Sequence, residues 1–426
     1  MPTPDKLLVP LTLLALTLTS CSSMDPGNPS ASTPAGAEDS AGSSTDSTVG
    51  DGHGAIEGAA EVAEPQLHLI TLDPAGSVEL LDLADEASTT IGEVPEATST
   101  STDGRYLFAA SATTGTLTVI DSGVWTWDHE DHFHYYRAEP RIVGTVEGEG
   151  EPVVTPGDSG TGVFFPDSGE GMILDNDALG RGEISVATEV SGEPHTGMLV
   201  PLPGSLQLLT EAGTDGTADT VQVHDADGRA VPDAAAECRD AQGTITTRVG
   251  TVIGCDDGAL LATVDDGDVT FERIGYPAEI TADKATEFRA RKGRPTVAAV
   301  AGNQGVWLLD TRQREWQFLP TDQPLLQAAA VDDSEGHVVA LTEAGTVLVL
   351  SAESGETIGE TEPLLGETVT DPALLNGVEL VADQQRSYLN APAEQQLYEI
   401  DFADDARIAR TFPTNETPLF FTETGR

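Results

Sequence analysis

The sequence predicts an all-β fold, a β-propeller, and three observations lead to this prediction. An apolar strand, a short turn bearing Gly or Asp, and a second strand of alternating apolar residues recur eight times along the chain. The second strand is followed by Asp82 in the first copy and by Asp401 in the last, which gives a period of about 46 residues. No stretch has a convincing helical periodicity. Short strands repeated at this period are typical of β-propellers.

Each copy supplies the middle hairpin of a four-stranded blade, with the blade's outer strand after it and the next blade's inner strand following. Eight copies predict eight blades, and seven blades remain the alternative if one hairpin is irregular. The predicted hairpins pair residues 67–72 with 77–81, 107–111 with 116–120, 162–166 with 171–174, 205–210 with 220–224, 251–255 with 259–264, 297–301 with 306–309, 338–342 with 346–350, and 387–390 with 396–400.

The first copy has no inner strand before it. At the other end of the chain, residues 417–422 read Thr-Pro-Leu-Phe-Phe-Thr and resemble a strand. We therefore expect this C-terminal run to complete the first blade, which would leave no unpaired sheet edge. The propeller domain is predicted to span residues 63–426.

The N-terminus predicts export from the cytoplasm. Lys6 precedes an apolar run over residues 7–18, which is shorter than the roughly 20 residues that a membrane span needs. The run ends in Leu-Thr-Ser-Cys at residues 18–21, which resembles a bacterial lipoprotein cleavage site with Cys21 as the lipidated residue. An ordinary secretory signal is the alternative, and it would export the chain as well. Residues 1–20 are predicted to be the lipoprotein signal peptide and are excluded from the fold. We expect a cell-surface lipoprotein that contacts the membrane only through its lipid anchor.

Residues 21–62 are predicted to be a disordered tether. They are rich in Ser, Gly, Thr, Ala, Asp and Pro and have almost no large apolar side chains. Such a segment buries too little surface to offset the entropy cost of ordering it.

The formal net charge of −52 excludes nucleic acid as a partner, because binding phosphates requires a basic surface. Adaptation to salt, or solubility alone, explains the same charge, so the charge indicates no particular function. We expect a monomer.

Cys238 and Cys255 are an even pair once Cys21 is assigned to the lipid. In an oxidising compartment a disulfide between them would close a loop of about 17 residues and stabilise the fold by roughly 3 kcal/mol. This pairing is preferred to metal thiolates, because no histidine lies near either cysteine in sequence.

Residues 128–136 read Asp-His-Glu-Asp-His-Phe-His-Tyr-Tyr and hold three of the chain's eight histidines. They lie in an insertion at residues 124–140, between the third and fourth strands of a blade. In an extended segment His132 and His134 point to the same side, and His129 joins them only if the chain bends near Asp131. Histidines at this density, with carboxylates beside them, predict a metal site, and a solvated polar loop is the alternative.

His195 is a further candidate, at the predicted start of an inner strand near the central channel. A structural role, with hydrogen bonds to neighbouring backbone, is the alternative. In a standard blade the loop after the third strand and the entry to an inner strand lie on opposite faces. His195 would therefore meet the histidine loop only if that loop folds into the channel or over the rim.

The histidine motif at residues 128–136, on an exported repeat protein with a later Gly-Cys-Asp-Asp-Gly at residues 254–258, resembles the AztD-type zinc metallochaperone family. The resemblance implies a β-propeller that is not an enzyme. Such a protein binds Zn²⁺ outside the cytoplasm and delivers it to the solute-binding protein of a zinc ABC transporter. The implied zinc ligands are His129, His132 and His134, with Asp128 and Asp131 as ligands or orienting partners, and His195 by a weaker match.

Two other functions stay open at this point. A metal-dependent propeller hydrolase or lactonase would need an open coordination position with a general base beside it. The sequence has no nucleophile elbow, Gly-rich phosphate loop or carboxylate set repeated across the blades. A surface interaction scaffold that binds no metal is the second alternative.

Overall fold

The computed structural model describes residues 54–128, 132–214 and 216–426, which are almost entirely strands and turns. Burial alternates along strands that have one face in the core, and it is continuous along the middle strands of the sheets. The strands of the first half are β1 (Ala60–Val62), β2 (His68–Leu72), β3 (Ser77–Asp82), β4 (Ser88–Glu93), β5 (Ser99–Thr102), β6 (Tyr106–Ser111), β7 (Thr116–Asp121), β8 (Val124–Asp128), β9 (Phe133–Arg137), β10 (Arg141–Glu147), β11 (Val153–Gly157), β12 (Gly160–Phe165), β13 (Glu170–Leu174), β14 (Val186–Ser191), β15 (Leu199–Leu202), β16 (Leu206–Ala212) and β17 (Ala218–His224).

The second half continues the same pattern, and two short helices, α1 (Asn176–Arg181) and α2 (Pro372–Leu375), lie in connections. The remaining strands are β18 (Ala230–Glu237), β19 (Gln242–Thr246), β20 (Thr251–Cys255), β21 (Gly258–Asp265), β22 (Asp268–Gly275), β23 (Thr296–Val300), β24 (Gly305–Asp310), β25 (Glu315–Pro320), β26 (Leu325–Ala330), β27 (His337–Thr342), β28 (Val347–Ser351), β29 (Thr357–Glu360), β30 (Leu380–Ala382), β31 (Ser387–Ala391), β32 (Gln396–Asp401), β33 (Arg407–Pro413) and β34 (Phe420–Thr424).

Within the described residues these strands form nine antiparallel sheets, and all eight predicted hairpins are present as neighbouring strands. The predicted β-propeller fold is confirmed. The eight sheets built on the hairpins have the orders β34-β2-β3-β4, β5-β6-β7-β10, β11-β12-β13-β14, β15-β16-β17-β18, β19-β20-β21-β22, β23-β24-β25, β26-β27-β28-β29 and β30-β31-β32-β33, and the ninth sheet is β1-β9-β8.

The C-terminal strand completes the first sheet, as predicted. β34 pairs with β2 in antiparallel register, from His68 opposite Thr424 to Leu72 opposite Phe420. Both strands are buried along their whole length. β34 therefore takes the position that β5 and β11 hold in the next two sheets, and the C-terminal strand and the first predicted hairpin lie in one sheet.

The sheet β23-β24-β25 lacks a regular first strand in the described residues. Arg289 occupies that position through two backbone hydrogen bonds with Ala298, of 2.8 and 2.9 Å. Ala290 forms a parallel bridge with Ala330 of the next sheet. The hairpin itself is regular, so the irregularity lies in the strand that precedes it.

Cys238 and Cys255 form a disulfide, with 5.1 Å between their Cα atoms. This is the pair that the sequence predicts. Both cysteines are fully buried, Cys238 just after β18 and Cys255 at the end of β20. The bond therefore links two neighbouring sheets through their shared core.

Residues 54–62 differ from the tether prediction, because the described part of that segment is folded and Ala60–Val62 form β1. The predicted signal at residues 1–20, the lipid-bearing Cys21 and the rest of the tether lie outside the described residues. Among the residues that the structure describes, no helix is both long and apolar enough to cross a membrane.

Candidate metal site on the inserted hairpin

The predicted insertion is a β-hairpin, not an irregular loop. β8 and β9 pair so that Trp125 faces Tyr136 and Trp127 faces His134. The hairpin lies between β7 and β10, the third and fourth strands of the second sheet, as predicted. β1 adds a third strand on the other side of β9, with Glu61 opposite Tyr136.

Aromatic packing holds the root of this hairpin. Trp125 and Tyr136 are buried and stack with their ring centroids 5.2 Å apart. The guanidinium of Arg105 lies 3.8 Å from the centroid of the Trp125 ring and donates two hydrogen bonds, of 2.8 and 2.9 Å, to Asp121. A cation held over an indole face in a partly buried site adds to the packing energy. The root is therefore a fixed platform for the tip.

Large apolar side chains stand in solvent near the tip. Trp127 is 44% exposed and Phe133 is 51% exposed. His129 and Asp131, which follow β8 and precede β9 in sequence, lie outside the described residues, so the structure does not test these two predicted ligands.

His132 and His134 lie on the same side of the chain, as their spacing predicts. Their Nε2 atoms are 2.9 Å apart, so that one nitrogen donates a hydrogen bond to the other. Two nitrogen ligands of a tetrahedral zinc ion, with Zn–N distances of about 2.0–2.1 Å, lie about 3.3–3.4 Å apart. An opening of about 0.4 Å would thus fit this pair to one ion, with the metal replacing the shared proton. These two imidazoles are of the type that zinc binds and would supply two of its usual four ligands.

Glu61 is a residue of this site that the sequence analysis missed. Its Oε1 atom lies 2.7 Å from Nδ1 of His134, the ring nitrogen that faces away from His132. A carboxylate in this position accepts the Nδ1 proton and leaves Nε2 as the lone-pair donor. No pattern in the sequence marked Glu61, because it lies in a three-residue strand within the predicted tether.

Asp128 ends β8 and its carboxylate forms an ion pair of 3.2 Å with Arg248. Arg248 belongs to the turn between β19 and β20, at the end of the fifth sheet where its first two strands connect. Thr126 donates a hydrogen bond of 2.7 Å to the carbonyl of Gly425, just beyond β34. The hairpin therefore extends from its own sheet toward the first and fifth sheets. Arg248 takes only one of the two Asp128 carboxylate oxygens, Oδ2.

His195 lies at the other end of the sheets, as the blade geometry requires. It precedes β15, whereas the hairpin follows a third strand. Nδ1 of His195 is 2.8 Å from the carbonyl oxygen of Glu193, and Nε2 is 2.9 Å from the hydroxyl of Thr210. The ring is 4% exposed and packs against Phe164. Both ring nitrogens have hydrogen-bond partners within the protein, which favours the structural role over metal binding.

The contacts of three further histidines also indicate structural roles. His224 and His337 hydrogen-bond the carbonyl of Gly228 and the carboxylate of Asp333, at 3.0 and 2.6 Å. His68 is buried 3.4 Å from Asp82, and burial lowers its pKa, which favours the neutral ring.

Over residues 54–128, 132–214 and 216–426, no group of three or more His, Cys, Asp or Glu side chains is arranged to hold a metal ion. The structure brings together His132 and His134, with Glu61 behind them and Asp128 at the end of the paired strand. It does not bring His195 to them.

No protein-family model matches the chain, and no curated protein sequence matches it. Solved structures do match the chain in fold. A crystal structure of AztD from Citrobacter koseri is 18% identical, with a TM-score of 0.72 over 85% of this chain and 99% of that one. Apo AztD from the same organism is also 18% identical, with a TM-score of 0.73 over 85% and 98%. The dihydro-heme d1 dehydrogenase NirN is 14% identical, with a TM-score of 0.51 over 85% and 76%. The chain thus has the fold of AztD, the protein whose family its histidine motif resembles.

Proposed function

We propose that the protein is an extracytoplasmic zinc metallochaperone, which binds Zn²⁺ as cargo and delivers it to the solute-binding protein of a zinc ABC transporter. The observation that carries the proposal is the convergence of the His132 and His134 Nε2 atoms on a surface hairpin, with Glu61 on the far nitrogen of His134. The likeness in fold to AztD supports it.

The position of the histidines suits transfer. The root of the hairpin is buried under Trp125 and Tyr136, whereas His132 is exposed near the tip. Exposed ligands can be replaced one at a time by the imidazoles of a partner, so that the ion need not enter water. The proposed ligands are His132 and His134, together with His129 and with Asp128 and Asp131 as ligands or orienting partners.

The proposal involves exchange of ligands and no catalysed reaction. It places the protein at the cell surface as a monomeric lipoprotein anchored through Cys21, in the compartment where the disulfide between Cys238 and Cys255 is stable. The acidic charge makes nucleic acid an unsuitable partner.

Zinc titration of the full chain, prepared without a histidine tag, tests the proposal. Replacing both histidines (His132→Ala, His134→Ala) should remove at least one equivalent of tightly bound zinc, because two nitrogen donors are lost together. Phe133→Ala is the matched control, since Phe133 lies between them in the chain and supplies no ligand. An unchanged zinc stoichiometry in the double variant would reject the site.

Transfer is measured separately. Zinc-loaded protein should pass its metal to a purified zinc-binding solute-binding protein in the presence of a chelator that captures free zinc. If the chelator takes all of the zinc, the delivery function is wrong even when binding is confirmed.

A further inference from the structure

Residues 54–62 pack along the inserted hairpin before the first sheet begins. The carbonyl of Gly54 accepts a hydrogen bond of 3.1 Å from the indole of Trp125. Gly54 also lies against the Trp127 ring, where an added Cβ atom would come within 2.6 Å of the ring atoms. Ile56 reaches α1, close against Gly180. The start of the segment therefore contacts both the hairpin and α1.

β1 is a short edge strand. It pairs with β9 over three residues only, Ala60 to Val62, and none of its side chains is buried. A strand this short with no core contact contributes little stability of its own. β1 does, however, carry the Glu61 carboxylate, whose Oε1 atom lies 2.7 Å from Nδ1 of His134.

We propose that Glu61 is a positioning residue for zinc binding, so that the segment before the propeller forms part of the metal site. The inference rests on the proposed function and adds a residue and a structural element to it. Glu61 keeps the proton of His134 on Nδ1, orients the ring toward His132, and supplies a negative charge behind a ligand pair that carries none.

The surroundings of Glu61 argue against a purely structural role. Its side chain is 59% exposed, and an ion pair or hydrogen bond this accessible to water contributes little to folding. His134 is the more enclosed partner, with 20% of its side chain exposed. Loss of the carboxylate should therefore change the tautomer and orientation of the His134 imidazole, with little effect on the stability of the fold.

The test compares Glu61→Gln and Glu61→Ala with the unchanged full chain in chelator-competition titrations of zinc. Loss of a carboxylate behind a metal-binding histidine typically weakens metal affinity by about 10–100-fold, and we expect a loss in this range for Glu61→Ala. The zinc affinity of Glu61→Gln should lie between those of Glu61→Ala and the unchanged chain, because the amide oxygen still accepts a hydrogen bond but carries no charge. Stoichiometry should not change. Glu64→Gln, three residues further on, is the control and should bind as the unchanged chain does.

A second readout needs no zinc. Long-range ¹H–¹⁵N spectra of the metal-free protein should show His134 protonated on Nδ1, and Glu61→Ala should shift the proton toward Nε2. The thermal midpoint of the metal-free variant should stay unchanged, which a structural role would not predict.

The outcomes separate this inference from the proposed function. If zinc binding depends on His132 and His134 but both Glu61 variants bind like the unchanged chain and keep the tautomer, the role of Glu61 is overturned and the metallochaperone proposal stands. If the unchanged chain binds no zinc, both are overturned.

Discussion

Two histidines separated by one residue act together only when the chain between them is extended. His134 lies in β9 and His132 directly precedes it, and the Nε2 atoms of the two residues are 2.9 Å apart. Phe133 points to the opposite side, as period two requires. Glu61 then distinguishes the two ring nitrogens of His134. A single carboxylate thus decides which atom of the ring is available as a ligand.

His195, unlike His132 and His134, is buried, and both of its ring nitrogens are hydrogen-bonded within the protein. Its substitution should therefore lower the stability without changing zinc binding. His195→Ala removes a partly buried hydrogen bond to the carbonyl of Glu193 and a buried one to Thr210, whose hydroxyl keeps its hydrogen bonds with the backbone of Met198. The free energy of unfolding should fall by about 1–3 kcal/mol, measured by urea denaturation. Zinc stoichiometry should not change.

Thr210→Val serves as the companion variant, because it removes one of the same hydrogen bonds and no imidazole. A loss of a full zinc equivalent in His195→Ala, with Thr210→Val binding normally, would restore His195 to the ligand set.

At the scale of elements, the hairpin β8–β9 joins a rigid root to an exposed tip. Arg105, Trp125 and Tyr136 form the root by stacking and by the cation over the indole ring. β1 and the turn bearing Arg248 hold the hairpin from two sides. An element fixed at its base and accessible at its end suits a site that must receive and release an ion.

Trp125→Ala should therefore damage both stability and metal binding. Replacing a buried tryptophan by alanine typically costs about 3–5 kcal/mol, and this change also removes the hydrogen bond to Gly54. We expect a lower urea midpoint and weaker zinc binding in the same variant. Trp127→Ala is the control, because Trp127 is exposed and its loss should leave the urea midpoint nearly unchanged. Zinc binding that is unaffected by Trp125→Ala would mean that the root does not position the histidines.

At the scale of the whole molecule, β34 joins the C-terminus to the first sheet and carries a buried charge cluster. The carboxyl groups of Glu423 and Asp383 both lie against Arg426, so that two acidic groups share one guanidinium. Burial raises the pKa of Glu423 to about 8, and Arg426 only partly opposes this effect. Asp383 and Glu399 act in the same direction as burial.

This pKa predicts a stability that falls as the solution becomes more basic. The carboxyl of Glu423 is protonated in the folded protein up to about pH 8, whereas its ordinary pKa is 4.5. An acid whose pKa is higher in the folded state contributes full stability below its unfolded pKa and loses it as the pH rises through the folded value. The urea midpoint should therefore decline between about pH 4.5 and pH 8.

Glu423→Gln should flatten this decline, because the amide is neutral at every pH in the range. Glu416→Gln, an exposed glutamate on the approach to the same strand, should keep the slope of the unchanged chain. Equal slopes for all three proteins would show that Glu423 is not the group responsible.

The sequence by itself determined what depends on local pattern. Alternation of apolar residues located all eight hairpins, the lack of an inner strand in the first copy assigned the C-terminal run to it, and parity placed His132 and His134 on one side. These features follow from period two along a strand and from the repeat length, which need no knowledge of distant contacts.

Only the tertiary structure decided the features that join residues far apart in the chain. Glu61 meets His134 across 73 positions, and Arg248 meets Asp128 across 120. The partners of His195 and the bridge at Arg289 in place of a regular first strand likewise depend on how strands pair. Such contacts are set by the packing of sheets against one another, and a short polar segment such as Ala60–Val62 becomes a strand only because the edge of β9 is there to pair with it.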